Sequence, residues 1–229
     1  MPDTPEFEFL RQVLLFDCLT DDEIEVLARV AGSQKFSKNA LVILAEDEGD
    51  AFFLIKKGRM KVSVTGNDGR EIILSQLGPG EYFGELSLLD GKPRSADVTT
   101  LDPSELLVLR RQDFLTVIQK HSAIPVHLMI TLASRLRKSD RQIVGLALLG
   151  ISERICSVLL SIAEEEGVET DEGIVIKKRP THQVIAAMSG TARETITRVM
   201  RRLSDEGYIR ASGRELLILK QARDVTESF

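Results

Sequence analysis

Tyr82-Phe83-Gly84-Glu85-Leu86-Ser87-Leu88-Leu89-Asp90-Gly91-Lys92-Pro93-Arg94-Ser95-Ala96 is the stretch on which the reading of this 229-residue chain turns. It predicts a strand end, a short helix and an arginine-bearing turn. Gly84 lets the backbone approach closely. The amides of Glu85 to Ser87 open a helix whose unsatisfied N–H groups and dipole favour an anion. Arg94 offers a planar fork of donors suited to phosphate. Ser95 adds a hydroxyl, and Glu85 is an acceptor for a ribose 2′-hydroxyl, so the two charged side chains would recognise different halves of one sugar phosphate. Taken singly, an internal Glu85–Arg94 ion pair and a plain turn at Gly84 explain these residues equally well. The ordered set is far more specific than its members.

Working outward, residues 36–109 read as short β-rich runs broken by glycine: 41–44, 51–55, 60–64, 72–77, 96–99 and 106–109. Asn67-Asp68-Gly69 is a tight hairpin signal, and many short strands at regular spacing predict an antiparallel β-roll. Upstream, residues 7–31 carry apolar positions at helical spacing (Val13, Phe16, Leu19, then Ile24, Leu27, Val30), with Thr20 as N-cap before the acidic Asp21-Asp22-Glu23.

Downstream of Pro125 the chain turns helical. Met129, Leu132, Leu136, Ser139, Ile143 and Leu146 fall at alternating steps of three and four, an a/d seam that calls for a partner helix. Packing on the chain's own barrel explains the same stripe, and both readings stand. Gly145 and Gly150 flank a break, placing a hinge between Leu146 and Gly150. A second amphipathic helix follows (Ile155, Val158, Leu159, Ile162), then an acidic loop over 164–173.

Residues 181–219 predict a helix capped by Thr181, a turn at Ser189-Gly190-Thr191, a second helix from Ala192 to about Glu206, and a hairpin around Ser212-Gly213. Ile196, Val199, Met200 and Leu203 form the buried face of the second helix. Arg193, Glu194, Thr197 and Arg201 lie opposite, with Arg198 beside them. In a helix-turn-helix the first residues of the second helix meet base edges. There Arg grips guanine O6 and N7, and Glu accepts from cytosine N4. A solvated Arg-Glu helix start remains the plainer alternative.

Composition fits this division. Residues 174–214 hold nine bases and three acids, so they carry +6 within a chain of net charge −5. A basic module on an acidic body suits a polyanionic partner. Cys18 and Cys156 sit among apolar neighbours, which predicts buried structural thiols in a reducing cytosol. The amino terminus lacks a basic leader before an apolar core, and no apolar run approaches the roughly 18 residues of a membrane span, so neither secretion nor a membrane partner is expected. No catalytic constellation assembles from the sequence, so an enzyme is not expected.

Residues 83–96 resemble the phosphate cassette of the cyclic-nucleotide-binding domain, Phe-Gly-Glu-Leu-(Ser/Ala)-Leu-Leu, a short gap, then Pro-Arg-(Ser/Thr/Ala)-Ala. Gly49 to Gly58 resemble that domain's earlier strand-turn signature. With Arg193-Glu194-Thr195 and Arg198, the resemblance extends to the catabolite activator (CRP/FNR) family over nearly the full chain. It implies an α+β protein: an N-terminal jelly roll (double-stranded β-helix) over 1–124, a dimerisation helix over 125–146, and a winged helix-turn-helix over 147–229. It implies cAMP or cGMP as effector, held by Gly84, Glu85, Leu86, Ser87, Arg94 and Ser95, with Ser139 and Asp140 facing the base. Double-stranded DNA with TGTGA-like half-sites is the implied partner, contacted by Thr181, Arg193, Glu194, Thr197, Arg198 and Arg201. The protein would act as a cytoplasmic homodimer, with RNA polymerase a further candidate partner and no metal, haem or iron-sulfur cluster.

Two departures qualify this. Ala192 stands where the family carries Ser, with Thr191 available to substitute as a cap. Asp140 replaces a hydroxyl by a pure acceptor, which adenine N6 or guanine N1 and N2 would satisfy, so cGMP and cyclic di-GMP stay open beside cAMP, as does action without ligand. A regulatory subunit of a kinase or channel is the different-class alternative.

Overall fold

The computed structural model describes residues 4–220. By its contacts the chain divides into two compact units: residues up to Val64 together with Ile73–Ser139, and Thr65–Ile72 together with everything from Asp140.

In the first unit, α1 (Pro5–Arg11), a 3-10 turn (Leu14–Phe16) and α2 (Asp21–Val30) precede strands β1 (Gly32–Phe36), β2 (Leu41–Ile43), β3 (Ala51–Lys57), β4 (Met60–Thr65), β5 (Glu71–Leu77) and β6 (Tyr82–Phe83). Next come α3 (Glu85–Asp90), β7 (Asp97–Thr100), β8 (Ser104–Arg110), α4 (Arg111–Lys120) and α5 (Ala123–Leu148), of which the residues up to Ser139 belong to this unit. Two four-stranded sheets result, in the orders β1-β8-β3-β6 and β2-β7-β4-β5. The expected antiparallel roll is therefore present. It begins earlier than expected: Gly32 to Phe36 pair with Val108 to Ser104 of β8. Gly32-Ser33-Gln34-Lys35 carries no strand signal, and it is the cross-strand partner that makes it a strand.

β3 shows why its apolar run is unbroken. Successive side chains leave opposite faces, and both faces of this strand are covered. Phe52 and Leu54 pack with Leu10, Phe16 and Phe114 in a core under the helices, whereas Phe53 and Ile55 pack inside the roll with Met60, Leu77 and Phe83. Phe52 stacks on Phe114 with ring centroids 4.1 Å apart, and Phe53 on Phe83 at 5.0 Å. Thr20 starts α2 as expected: the Glu23 carboxylate accepts from both the amide and the hydroxyl of Thr20 at 2.9 Å. Those bonds hold the Glu23 carboxyl below its ordinary range.

Cys18 is exposed, against the expectation of a buried thiol, because the short turn beneath it buries Leu15, Phe16 and Leu19 instead. Cys156 is half-buried, and desolvation raises its pKa.

In the second unit, α6 (Ile151–Glu166), β9 (Val168–Glu169), β10 (Gly173–Ile176), α7 (His182–Ser189), α8 (Arg193–Asp205), β11 (Ile209–Ser212) and β12 (Glu215–Leu219) enclose one core, with sheet order β11-β12-β10-β9. The supposed acidic loop at 164–173 is instead the last turn of α6 and a small hairpin. Ile174 and Ile176 of β10 face Ile218 and Leu216 of β12, and this long-range pairing draws the acidic segment into the sheet. The break between helices falls at Leu149-Gly150, where the Glu153 carboxylate caps the Gly150 amide at 2.7 Å. Among the described residues, no helix is long and apolar enough to cross a membrane.

Candidate functional site

The first unit contains a cavity of about 350 Å³, a size suited to a small ligand. Its lining includes Gly84, Glu85, Leu86, Ser87, Arg94 and Ser95 from the cassette, apolar residues of the roll such as Ile43, Val62, Leu74 and Val98, and Leu132, Arg135, Leu136, Lys138 and Ser139 from α5. Seven of the eight residues expected to hold a ligand thus meet around one space. Asp140 does not join them: it is exposed, and the lining ends at Ser139.

Arg94 is the centre of the arrangement. It is only 6% exposed, and its two terminal nitrogens donate to the carbonyls of Gly84 and Ala51, each at 2.8 Å. A guanidinium carries five N–H donors, so donors remain for an incoming anion. Desolvation lowers its pKa, with Asp50 and Glu85 opposing that shift. It remains a cation at any physiological pH.

Two glycines make room for it. At Gly84 (φ +84°) a Cβ would lie 2.7 Å from Arg94 Nη1, and at Gly49 a Cβ would lie 2.5 Å from Arg94 Nε. Gly84 also adopts a backbone conformation that side chains resist. Gly49 therefore does more than turn the roll, because it gives Arg94 the space to enter.

Glu85 is 2% exposed and does not pair with Arg94. Its carboxylate accepts from Arg135 Nη1 at 2.7 Å, and Arg135 Nη2 donates to the Tyr82 carbonyl at 2.6 Å. The Arg135 guanidinium also lies 5.2 Å from the Tyr82 ring centroid. Arg135 thus belongs to the site, although sequence reasoning passed over it. The missed signal was its position four residues before Ser139, which puts both on one helix face.

The second unit presents a different surface. Arg193, Glu194, Thr197, Arg198 and Arg201 are all exposed along one side of α8. Among the described residues, no ion pair engages Arg193, Glu194, Arg198 or Arg201. Thr197 is tied into the motif: its hydroxyl donates to the Arg193 carbonyl at 3.2 Å and shares a hydrogen bond with His182 Nδ1 at 3.0 Å. Burial, Arg179 and Arg193 together lower the His182 pKa. Thr181 caps α7, its hydroxyl accepting from the Val184 amide at 3.4 Å.

Gly190, at φ +61°, turns the chain between α7 and α8. The end of α7 is anchored by Arg154, which donates to the carbonyls of Ser189 at 3.0 Å and Leu149 at 3.1 Å. No side chain caps α8 at Ala192, so Thr191 does not replace the missing hydroxyl. Arg179 and Arg214, counted in the sequence only as charge, adjoin one another beside the wing turn, with Arg214 donating to the Arg179 carbonyl. Desolvation and Arg214 both lower the Arg179 pKa. The two adjoining arginines concentrate positive charge beside the wing turn.

Comparison with known proteins finds matching models for both units. Residues 33–121 match the cyclic nucleotide-binding domain, and residues 153–223 match the Crp-like helix-turn-helix domain. A cyclic AMP receptor protein of Thermus thermophilus is 32% identical over 86% of this chain and 88% of its own length. A cAMP-activated global transcriptional regulator CRP of Haemophilus influenzae is 34% identical over 80% of this chain and 81% of its own. The structure of a CooA mutant from Carboxydothermus hydrogenoformans superposes with a TM-score of 0.78 over 98% of this chain and 96% of its own, at 21% identity.

Proposed function

The chain belongs to the CRP/FNR family of cyclic-nucleotide-binding, DNA-binding transcriptional regulators, and from that premise we propose that it binds a cyclic mononucleotide, cAMP or cGMP, and thereby controls binding to a palindromic, TGTGA-like operator. The observation that carries the reading is the buried Arg94, held by two carbonyls at the edge of a nucleotide-sized cavity with donors to spare. Arg94, the α3 amides and Ser95 would hold the cyclic phosphate, and Glu85 the ribose hydroxyl. Leu132, Leu136 and Ser139 of α5 would cover the base.

The protein would act as a cytoplasmic homodimer. Met129, Leu136 and Ile143 on the α5 seam are 58%, 62% and 63% exposed in the single chain. Burying each side chain of this kind contributes about 1.5 to 3 kcal/mol, which favours a second α5. Nucleotide would shift the population toward the state in which Ser139 packs on the base. The seam would then set the two α8 helices about 34 Å apart, one turn of DNA.

Calorimetric titration of Arg94→Leu with cAMP and cGMP tests the cavity: loss of binding is expected, and unchanged affinity overturns the assignment. Arg193→Ala tests α8 on DNA. It should lower discrimination at one base pair by about 1 to 3 kcal/mol, and full retention of discrimination overturns that part.

A further inference from the structure

We infer that Arg154 fastens the end of α5 to the turn of the helix-turn-helix, and so fixes the half-site spacing that the two α8 helices of a dimer read. The inference rests on the dimeric, palindrome-binding reading above. From Asp140 onward α5 belongs to the second unit, and it stops at Leu148. The chain resumes as α6 at Ile151, a break that in the sequence reads as a hinge. The side chains describe a locked joint instead. Arg154, in the first turn of α6, donates from Nε to the Ser189 carbonyl at 3.0 Å and from Nη1 to the Leu149 carbonyl at 3.1 Å.

Both acceptors lie at helix ends. Leu149 directly follows α5, and Ser189 is the last residue of α7. The final carbonyls of a helix have no partner within it, and a cation is favoured beside them. One guanidinium thus serves two helix ends, and its rigid planar fork sets them relative to each other as a point charge does not. A second contact joins the same two places. A Cβ built on Gly190 would lie 2.9 Å from Leu146 Cδ2, so the Leu146 side chain already fills the space beside the bare α-carbon of the turn. The turn is itself firm: Ser189 is 2% exposed, its hydroxyl donates to the Ile185 carbonyl at 2.8 Å, and the Thr191 amide donates to the Ala186 carbonyl at 3.0 Å. Because α8 begins at Arg193 directly after this turn, its direction is set from the end of α5. The same helix carries the dimer seam, so Arg154 places α8 relative to the two-fold axis without touching DNA.

The test is fluorescence anisotropy of the full chain, saturated with cAMP or with cGMP. The duplexes carry two TGTGA half-sites, either at the favoured spacing or with one base pair inserted between them. The insertion moves one half-site by about 3.4 Å and turns it by about 35°. Wild type should prefer the favoured spacing by about tenfold, as the loss of about one charged contact would give. Arg154→Met should bring the two duplexes within about threefold by weakening binding to the favoured one. Its nucleotide affinity by calorimetry, and its affinity for a scrambled duplex, should stay at wild-type values. Arg154→Lys, which keeps the charge but not the fork, should fall between. Mere loss of stability would lower every affinity together and leave the spacing ratio as it was. A wild-type ratio in folded Arg154→Met overturns the inference alone. If Arg154→Met does not fold, Arg154→Lys decides, and a wild-type ratio there overturns it equally. A wild-type protein without a spacing preference overturns the palindrome reading itself, and this inference with it.

Discussion

Gly49→Ala isolates the packing around Arg94 from every other property of the loop. Gly49 is not among the positive-φ residues, so alanine meets no backbone strain there. Its Cβ would nevertheless lie 2.5 Å from Arg94 Nε, 2.6 Å from Cζ and 2.8 Å from Ser87 Cβ. Ordinary contact requires a retreat of about 1 Å. The guanidinium has little freedom to retreat, being 6% exposed and tied to the Gly84 and Ala51 carbonyls at 2.8 Å. A shift of that size breaks at least one of these charged hydrogen bonds, each contributing about 1.5 to 3 kcal/mol. Gly49→Ala should therefore lower stability by about 2 kcal/mol in urea unfolding. On the proposed role of Arg94, the displaced fork would no longer meet the phosphate, and cyclic-nucleotide binding should weaken at least tenfold by calorimetry. Gly91→Ala is the control. Its φ is +71° but nothing lies within 4 Å of an added Cβ, so it should cost about 1 kcal/mol of strain and leave affinity unchanged. A Gly49→Ala protein that binds nucleotide within twofold of wild type would refute the argument.

Ala192→Ser supplies the hydroxyl that the first turn of α8 lacks; it should stabilise the protein by about 1 kcal/mol, and an unchanged melting temperature argues against it. Arg135→Met removes the cation from Glu85, itself 2% exposed. Stranding that carboxylate should cost about 3 to 5 kcal/mol in chemical denaturation, and a change under 0.5 kcal/mol (about the scatter of an ordinary surface substitution) counts against a structural role for the pair. Glu23 has its pKa lowered by its bonds to Thr20. Its contribution should therefore be present above the unfolded carboxylate pKa and fade as pH falls through the lower folded value. The urea midpoint of Glu23→Gln should accordingly trail wild type at pH 7 and converge with it below about pH 4, whereas a gap independent of pH would count against the capping bond.

What the sequence determined by itself lies in features whose partners are close along the chain. Gly84 to Ser95 could be read because turn, helix start and arginine follow one another within a dozen residues. The 181–219 motif could be read because capping at Thr181, the turn at Gly190 and the apolar face of α8 are set by hydrogen bonds and periodicities spanning a few residues.

Tertiary structure decided the rest, because those outcomes depend on which distant segment is brought alongside. Glu85 is paired with Arg135, fifty residues away, rather than with nearby Arg94. The acidic 164–173 segment is partly a hairpin because β12 arrives to pair with β10. Cys18 is exposed because its neighbours point inward in its place. Lys138 and Ser139, but not Asp140, line the cavity. One step along a helix turns a side chain by about 100°, and only the packed position of that helix on the roll determines which residue meets a ligand.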